Sequence, residues 1–228
     1  AYQPGAPTVS VGTSTSTTTP FSWNTTAGCP TGTTARYQYR YGFPDISYLS
    51  AWNGPSAGMT SYDMPTSSQG YIYDLNVQTH CSTTHSTGPW SVSGSRSYLR
   101  PITTPGAPTN FTVSIPSDRM YLRISYDHPT CGPGTQQQHR FGMWIATNTK
   151  NYGWLPGAYS GWRNQTAPNW DAAGIGNWVN YKQINSGDGK PIPTAVGHRL
   201  KLQYRCTNVA TGRSSALGPE TLSPILNS

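Results

Sequence analysis

The sequence predicts an all-β protein built as two tandem antiparallel β-sandwiches, and three observations point there. The first is an internal repeat. Pro4-Gly5-Ala6-Pro7-Thr8 returns as Pro105-Gly106-Ala107-Pro108-Thr109, and each copy carries two cysteines at matching places, Cys29 and Cys81, then Cys131 and Cys206. A repeat of about 100 residues is too long for a solenoid unit and has the size of a whole domain. The second is alternation of apolar and polar residues with a period of two, with no segment that sustains a helical period. The third is composition: of 228 residues only 10% are charged and 12% are aromatic, with 24 Gly and 20 Pro. Such a surface is made of hydroxyls and amides, and Thr and Tyr suit the pleated faces of strands. Aromatic residues at alternating positions also supply cores that a disordered chain would lack.

Taken in order, copy one spans 1–102 and copy two 103–228. After the proline-rich lead-in, Phe21-Ser22-Trp23 reads as a strand that precedes Cys29. Arg36-Tyr37-Gln38-Tyr39-Arg40-Tyr41 alternates with its tyrosines inward, and 71–81 alternates again with Tyr73, Leu75, Val77 and Thr79 on one face. A Gly/Ser-rich loop over 86–91 leads to the last strand, which ends at Tyr98-Leu99-Arg100-Pro101. In copy two, Ile124-Ser125-Tyr126 precedes Cys131. His198, Leu200, Leu202 and Tyr204 face inward there, and Arg199, Lys201 and Arg205 outward. Strands separated by turn residues with no intervening helices argue for sandwiches. The short linker Ile102-Thr103-Thr104, flanked by prolines, predicts a semi-rigid tandem.

The matched cysteines read as two intradomain disulfides, Cys29–Cys81 and Cys131–Cys206; four free buried thiols are the alternative. No two cysteines have the C-x₂₋₄-C spacing of a zinc site. Disulfides imply an oxidising compartment, hence an extracellular or cell-surface protein. Loops of 52 and 75 residues would each contribute on the order of 4 kcal/mol when closed. The chain starts at Ala1, which reads as a processed form or a piece of something longer, and no apolar run reaches membrane-spanning length.

This succession resembles the fibronectin type III domain, twice, over nearly the whole chain. The features that carry it are the proline lead-in, the second strand ending in Trp23, the aromatic third strand, and the penultimate strand Tyr73-x-Leu75-x-Val77-x-Thr79. Copy two departs where His198 stands for the expected tyrosine and Tyr126 for the core tryptophan, and the cysteines are additions to the pattern. The resemblance implies that both cysteines of a copy lie at one end, where the bridge pins a loop to the sheet. Modules with such added cysteines are similar to those strung along bacterial secreted and surface proteins.

Chemistry is sparse. Gly54-Pro55-Ser56-Ala57-Gly58 matches the G-x-S-x-G pattern, but a nucleophile elbow needs a strand-to-helix turn, and this segment reads as a Pro/Gly loop. The carboxylates are scattered singly, and His80, His85, His128, His139 and His198 have no metal-ligand spacing. His139 and His198 read as core or sheet positions. No catalytic residue, metal or cofactor is expected, and the chain does not read as an enzyme.

Two surfaces remain. Copy two has a Trp-rich insertion at about 151–192, with Trp154, Trp162, Trp170 and Trp178 at eight-residue intervals and Tyr152, Tyr159 and Tyr181 among them. Exposed aromatics form platforms for sugars or partners; the competing reading is cover for a sandwich poor in aliphatic residues. Trp162 matches Trp52 of copy one and reads as core. The charge is also lopsided, +1 up to Thr103 and +6 from Thr104, and Arg140, Arg199, Lys201 and Arg205 would share one outward face. Such a stripe either attracts an anionic glycan or surface or is an ordinary solvated face; nucleic acid is not the expected partner. The reading that results is a non-enzymatic structural or adhesive module pair, part of a bacterial surface protein or filament, whose partners are neighbouring modules or copies of itself. The alternative is a carbohydrate- or polyanion-binding module.

Overall fold

Both disulfides are present, Cys29–Cys81 and Cys131–Cys206, with Cα atoms 5.5 and 5.6 Å apart. Each lies inside one of two units into which the chain divides, Ala1–Pro101 and Ile102–Ser228. The computed structural model describes residues 2–24, 28–83, 88–114, 121–145, 151–154, 162–164, 177–180 and 197–226.

In the first unit, β1 (Val9–Val11), β2 (Thr18–Trp23) and β6 (Ser61–Pro65) form a three-stranded sheet in the order β1-β2-β6. The second sheet has the order β4-β3-β7-β8, from β3 (Thr34–Phe43), β4 (Tyr48–Leu49), β7 (Ile72–Ser82) and β8 (Gly94–Leu99). A further short strand, β5 (Asn53–Ala57), also pairs with β3. All pairs are antiparallel. Alternation does what it predicts: Tyr73, Leu75, Val77 and Thr79 are buried, and with Val9, Phe21, Trp23, Tyr37 and Met64 they make the core between the sheets. Burying side chains such as Leu75 and Val77 stabilises by about 1.5–3 kcal/mol each. The Tyr73 hydroxyl donates to the Ser68 carbonyl at 2.7 Å, fastening the corner that leads into β7.

The second unit repeats the plan. Its small sheet is β14-β10-β9, from β9 (Thr109–Ser114), β10 (Tyr121–Asp127) and β14 (Asn177–Asn180). The larger sheet is β12-β11-β15-β16, from β11 (Gln136–Ile145), β12 (Asn151–Trp154), β15 (His198–Thr207) and β16 (Thr221–Leu222), and β13 (Arg163–Asn164) also pairs with β11. Ile124, Tyr126, Phe141, Leu200, Leu202 and Tyr204 are fully buried. Both units therefore have a fibronectin type III-like fold, a three-stranded sheet against a larger one, with an added disulfide in each. The register agrees between them: Ala35 pairs with Cys81 as Gln137 pairs with Cys206, so Tyr37 opposite Thr79 corresponds to His139 opposite Tyr204.

The repeated proline lead-in has a packing cause. A side chain on Gly94 would run into the Pro7 carbonyl, and one on Gly218 would lie 2.8 Å from the Pro105 carbonyl. In each unit the lead-in backbone therefore lies directly against a glycine near the last strand. One expectation is corrected: Gly54–Gly58 is not a Pro/Gly loop but mostly the edge strand β5, whose cis Gly54–Pro55 bond sits beside β3. No strand-to-helix turn is present there, so the G-x-S-x-G match carries no nucleophile elbow.

Candidate interaction surfaces

Because side chains alternate along a strand, Arg199, Lys201, Gln203 and Arg205 of β15 share one face, joined from β11 by Gln138 and Arg140 through the pairs Gln138–Arg205 and Arg140–Gln203. The Arg140 Nε and Nη2 donate to Gln203 Oε1 at 3.2 and 2.8 Å, and Gln203 Nε2 donates to the Gly218 carbonyl at 2.9 Å. Arg205 Nε donates to Gln138 Oε1 at 2.9 Å. Both guanidiniums lie over the Trp162 ring, Arg140 Cζ 4.6 Å and Arg205 Cζ 4.4 Å from its centroid. Lys201 is only 1% exposed. Burial holds the Lys201 ammonium below its ordinary pKa, with Glu220 opposing, and also lowers the Arg140 and Arg205 guanidiniums.

The open cationic stripe expected from the sequence is thereby corrected. The register does bring the four cations to one face, but Lys201 is covered and Arg140 and Arg205 are stacked on an indole. Trp162 is corrected too. It is not core between the sheets; it is half-buried beside the guanidiniums of the outward face. The first unit has a related arrangement, with Arg40 Cζ 4.5 Å from the Trp52 centroid and Gln38 Nε2 donating to Gln78 Oε1 at 2.9 Å. Each contact of this kind contributes about 0.5–2 kcal/mol, depending on how dry it is.

Of the other aromatic candidates, Tyr152 and Trp154 stand in β12, and Trp178 stands in β14 opposite Arg123 of β10. Part of the stretch read as an insertion is thus the framework of the sandwich. Tyr159, Trp170 and Tyr181 lie outside the described residues.

The surface that sequence reading missed is in the first unit. β3 runs on past Tyr41 to Phe43 and turns through Pro44-Asp45-Ile46, and Ser47 takes a left-handed conformation (φ 54°) that starts β4. The Asp45 carboxylate accepts the Ile72 amide proton at 2.8 Å, tying this turn to β7. The result is a cleft of about 280 Å³ lined by Phe43, Ile46, Pro65, Tyr71 and Tyr73, with the Ser67 and Ser68 side of the corner as its polar rim. Phe43 stacks on Tyr48 at 5.4 Å and meets Tyr73 edge-on at 5.3 Å. Beside it Ile46, Tyr48 and Leu49 are 54%, 45% and 50% exposed. The signal was Phe43-Pro44-Asp45-Ile46-Ser47-Tyr48-Leu49, apolar residues crowded around a proline turn where alternation stops.

The remaining candidates are imidazoles, His139 and His80 buried and His128 half-buried. In the second unit His139 is 0% exposed, with ring centroids 5.9 Å from Tyr126, 5.5 Å from Phe141, 5.6 Å from Tyr204 and 6.1 Å from His128. His128 Nδ1 lies 2.6 Å from the Tyr204 hydroxyl, and burial pushes its pKa down, with Asp127 opposing. In the first unit His80 stacks on Trp90 at 4.0 Å, and burial lowers its pKa as well. Among the described residues no three histidine, cysteine or acidic side chains gather as metal ligands.

Among solved structures, the two-domain fibronectin type III segment of chicken tenascin is similar at 12% identity and a TM-score of 0.45, covering 95% of this chain and 97% of that one. The FN1–FN3 domains of chicken CNTN1 follow at 14% identity and a TM-score of 0.30, covering 97% of this chain and 68% of that one. No protein-family model and no curated protein sequence matches the chain.

Proposed function

We propose that this pair of fibronectin type III-like modules is a non-enzymatic structural or adhesive element of an extracellular surface protein, and that it works by contact with neighbouring copies or modules. The observation that carries the reading is the aromatic cleft of the first unit with exposed Ile46, Tyr48 and Leu49 beside it. Clustered apolar exposure next to a preformed groove is the physical signature of an interaction site. Three arginines, by contrast, are engaged in packing: Arg40 on Trp52, and Arg140 and Arg205 on Trp162. One disulfide per unit favours an oxidising, extracellular setting.

Sedimentation analysis over a range of concentrations tests this reading. The native chain should gain mass reversibly, and Ile46→Ser with Leu49→Ser, both on exposed positions, should abolish the gain without lowering thermal stability. A chain that stays monomeric throughout, or associates equally well with both substitutions, contradicts it.

A second reading, retention of an anionic glycan on the second unit, is favoured by the +6 charge of the residues from Thr104 onward. Retention on a heparin column should then fall steeply with salt.

A further inference from the structure

We infer that the second unit is an acid-sensitive module, in which the buried His139 and the half-buried His128 act as a trigger that loosens this sandwich below neutral pH ahead of its neighbour. The argument starts from equivalent positions in two copies of one module. Opposite strands place Tyr37 against Thr79 in the first unit and His139 against Tyr204 in the second, each two residues from the pair that contains the bridging cysteine. A tyrosine stays neutral throughout the physiological range, whereas an imidazole gains a proton near pH 6.5 when free in water, about the ordinary value. The second unit has therefore put a titratable ring where its twin has an inert one.

The surroundings make that proton expensive. His139 is completely buried and ringed by Tyr126, Phe141 and Tyr204. A cation there gives up its hydration, a cost the neutral ring does not bear. His128 lies across the cage at 6.1 Å, so charging either imidazole opposes charging the other. The charged and titratable groups that face the pair can be named element by element. The end of β10 gives Tyr126 and Asp127, the latter accepting from Asn110 of β9; β15 gives Tyr204; β13 sets Arg163 opposite His139 in register; the β11 neighbour of His139 is the uncharged Phe141. β14 carries no charged residue at all, being Asn177-Trp178-Val179-Asn180. Among the described residues Asp127 is the one carboxylate in this set. Its attraction for a proton on His128 is the weaker influence, and burial outweighs it.

The sign follows from linkage. Groups that protonate more readily in the unfolded chain take up protons on unfolding, so stability falls as pH drops through the window below the ordinary histidine value. The full contribution is present above about pH 6.5–7. Each proton taken up changes the folded-to-unfolded ratio by up to about tenfold per pH unit, and two protons by up to about 100-fold. Among the described residues the first unit has one comparable group, His80, whose stack on Trp90 also offers a cation partial compensation through the indole face. Its slope should be shallower. Opening the second unit would expose Tyr126, Phe141, Leu202 and Tyr204, so mild acid would convert one module of the pair into an apolar adhesive surface.

The test is urea unfolding of the full chain at a series of pH values from 8 down to about 4.5, followed through indole NMR resonances assigned to each unit. The second unit's midpoint should fall more steeply between pH 7 and 5 than the first unit's, and His139→Tyr with His128→Gln should flatten its slope to the first unit's or below. Equal slopes in the native chain, or an unchanged slope in the double variant, overturn the proposal. Should the double variant fail to fold, the native chain decides through the imidazole resonances of His128 and His139. Titration of both below the ordinary value supports the trigger; titration of either at or above it refutes the trigger.

Discussion

Cutting one disulfide should destabilise one unit only, by an amount set by its loop. Replacing Cys29 and Cys81 by alanine opens a loop closed over 52 residues. The chain-entropy relation gives about 4 kcal/mol for that closure, and a few tenths more for the 75-residue separation of Cys131 and Cys206. The loss of packing around the half-buried Cys29 and buried Cys81 adds less than this, because the native sulfurs fill little space. For a domain of this size each kcal/mol moves the melting temperature by about 4–8 °C, so the first unit's transition should fall by roughly 16–30 °C. Thermal unfolding of the full chain, read through resonances of Trp23 and Trp52 for the first unit and Trp162 for the second, separates the two transitions. A loss below about 1 kcal/mol would refute the loop-closure argument, and an equal fall in both transitions would refute the picture of two separately stapled sandwiches.

Three further outcomes are expected. Trp162→Ala should cost the second unit about 1–3 kcal/mol, and a double-mutant cycle with Arg205→Gln should show coupling of about 0.5–2 kcal/mol; coupling near zero would mean that the stack contributes nothing. Tyr73→Phe removes the hydroxyl donated to Ser68 and should cost the first unit about 1 kcal/mol in urea titration; unaltered stability would dismiss the corner as a fastening. On a heparin column, Arg199→Gln with Arg205→Gln should shift elution to lower salt if the second unit holds polyanions, and unchanged elution would leave the face purely structural.

The alternating strands were legible because side-chain period is a local property. Tyr73, Leu75, Val77 and Thr79 are inward as their spacing requires, and the cysteine pairs follow from the repeat. What lay beyond reach was the fate of the outward face. Alternation says that Lys201 points away from the core, yet whether water or protein meets it depends on chain far away in sequence, and Lys201 is covered. Trp162 could be matched to Trp52, but a half-buried ring over guanidiniums and a core ring look alike in sequence. The cleft escaped for a different reason. It is made where β3 stops alternating, by Phe43, Ile46, Tyr71 and Tyr73, which meet only when the turn folds back onto β7. The glycine opposite each proline lead-in was equally hidden, since a backbone contact leaves no side-chain pattern.

Hydroxyl-radical footprinting of the native chain at low and high concentration tests the central claim, that the exposed apolar cluster of the first unit is where this protein makes contact. The account predicts concentration-dependent protection of Ile46, Tyr48, Leu49 and Tyr71, with the buried core residues Leu75 and Leu202 unmodified throughout. Modification of those four residues that does not change with concentration, or protection confined to the second unit, would contradict it.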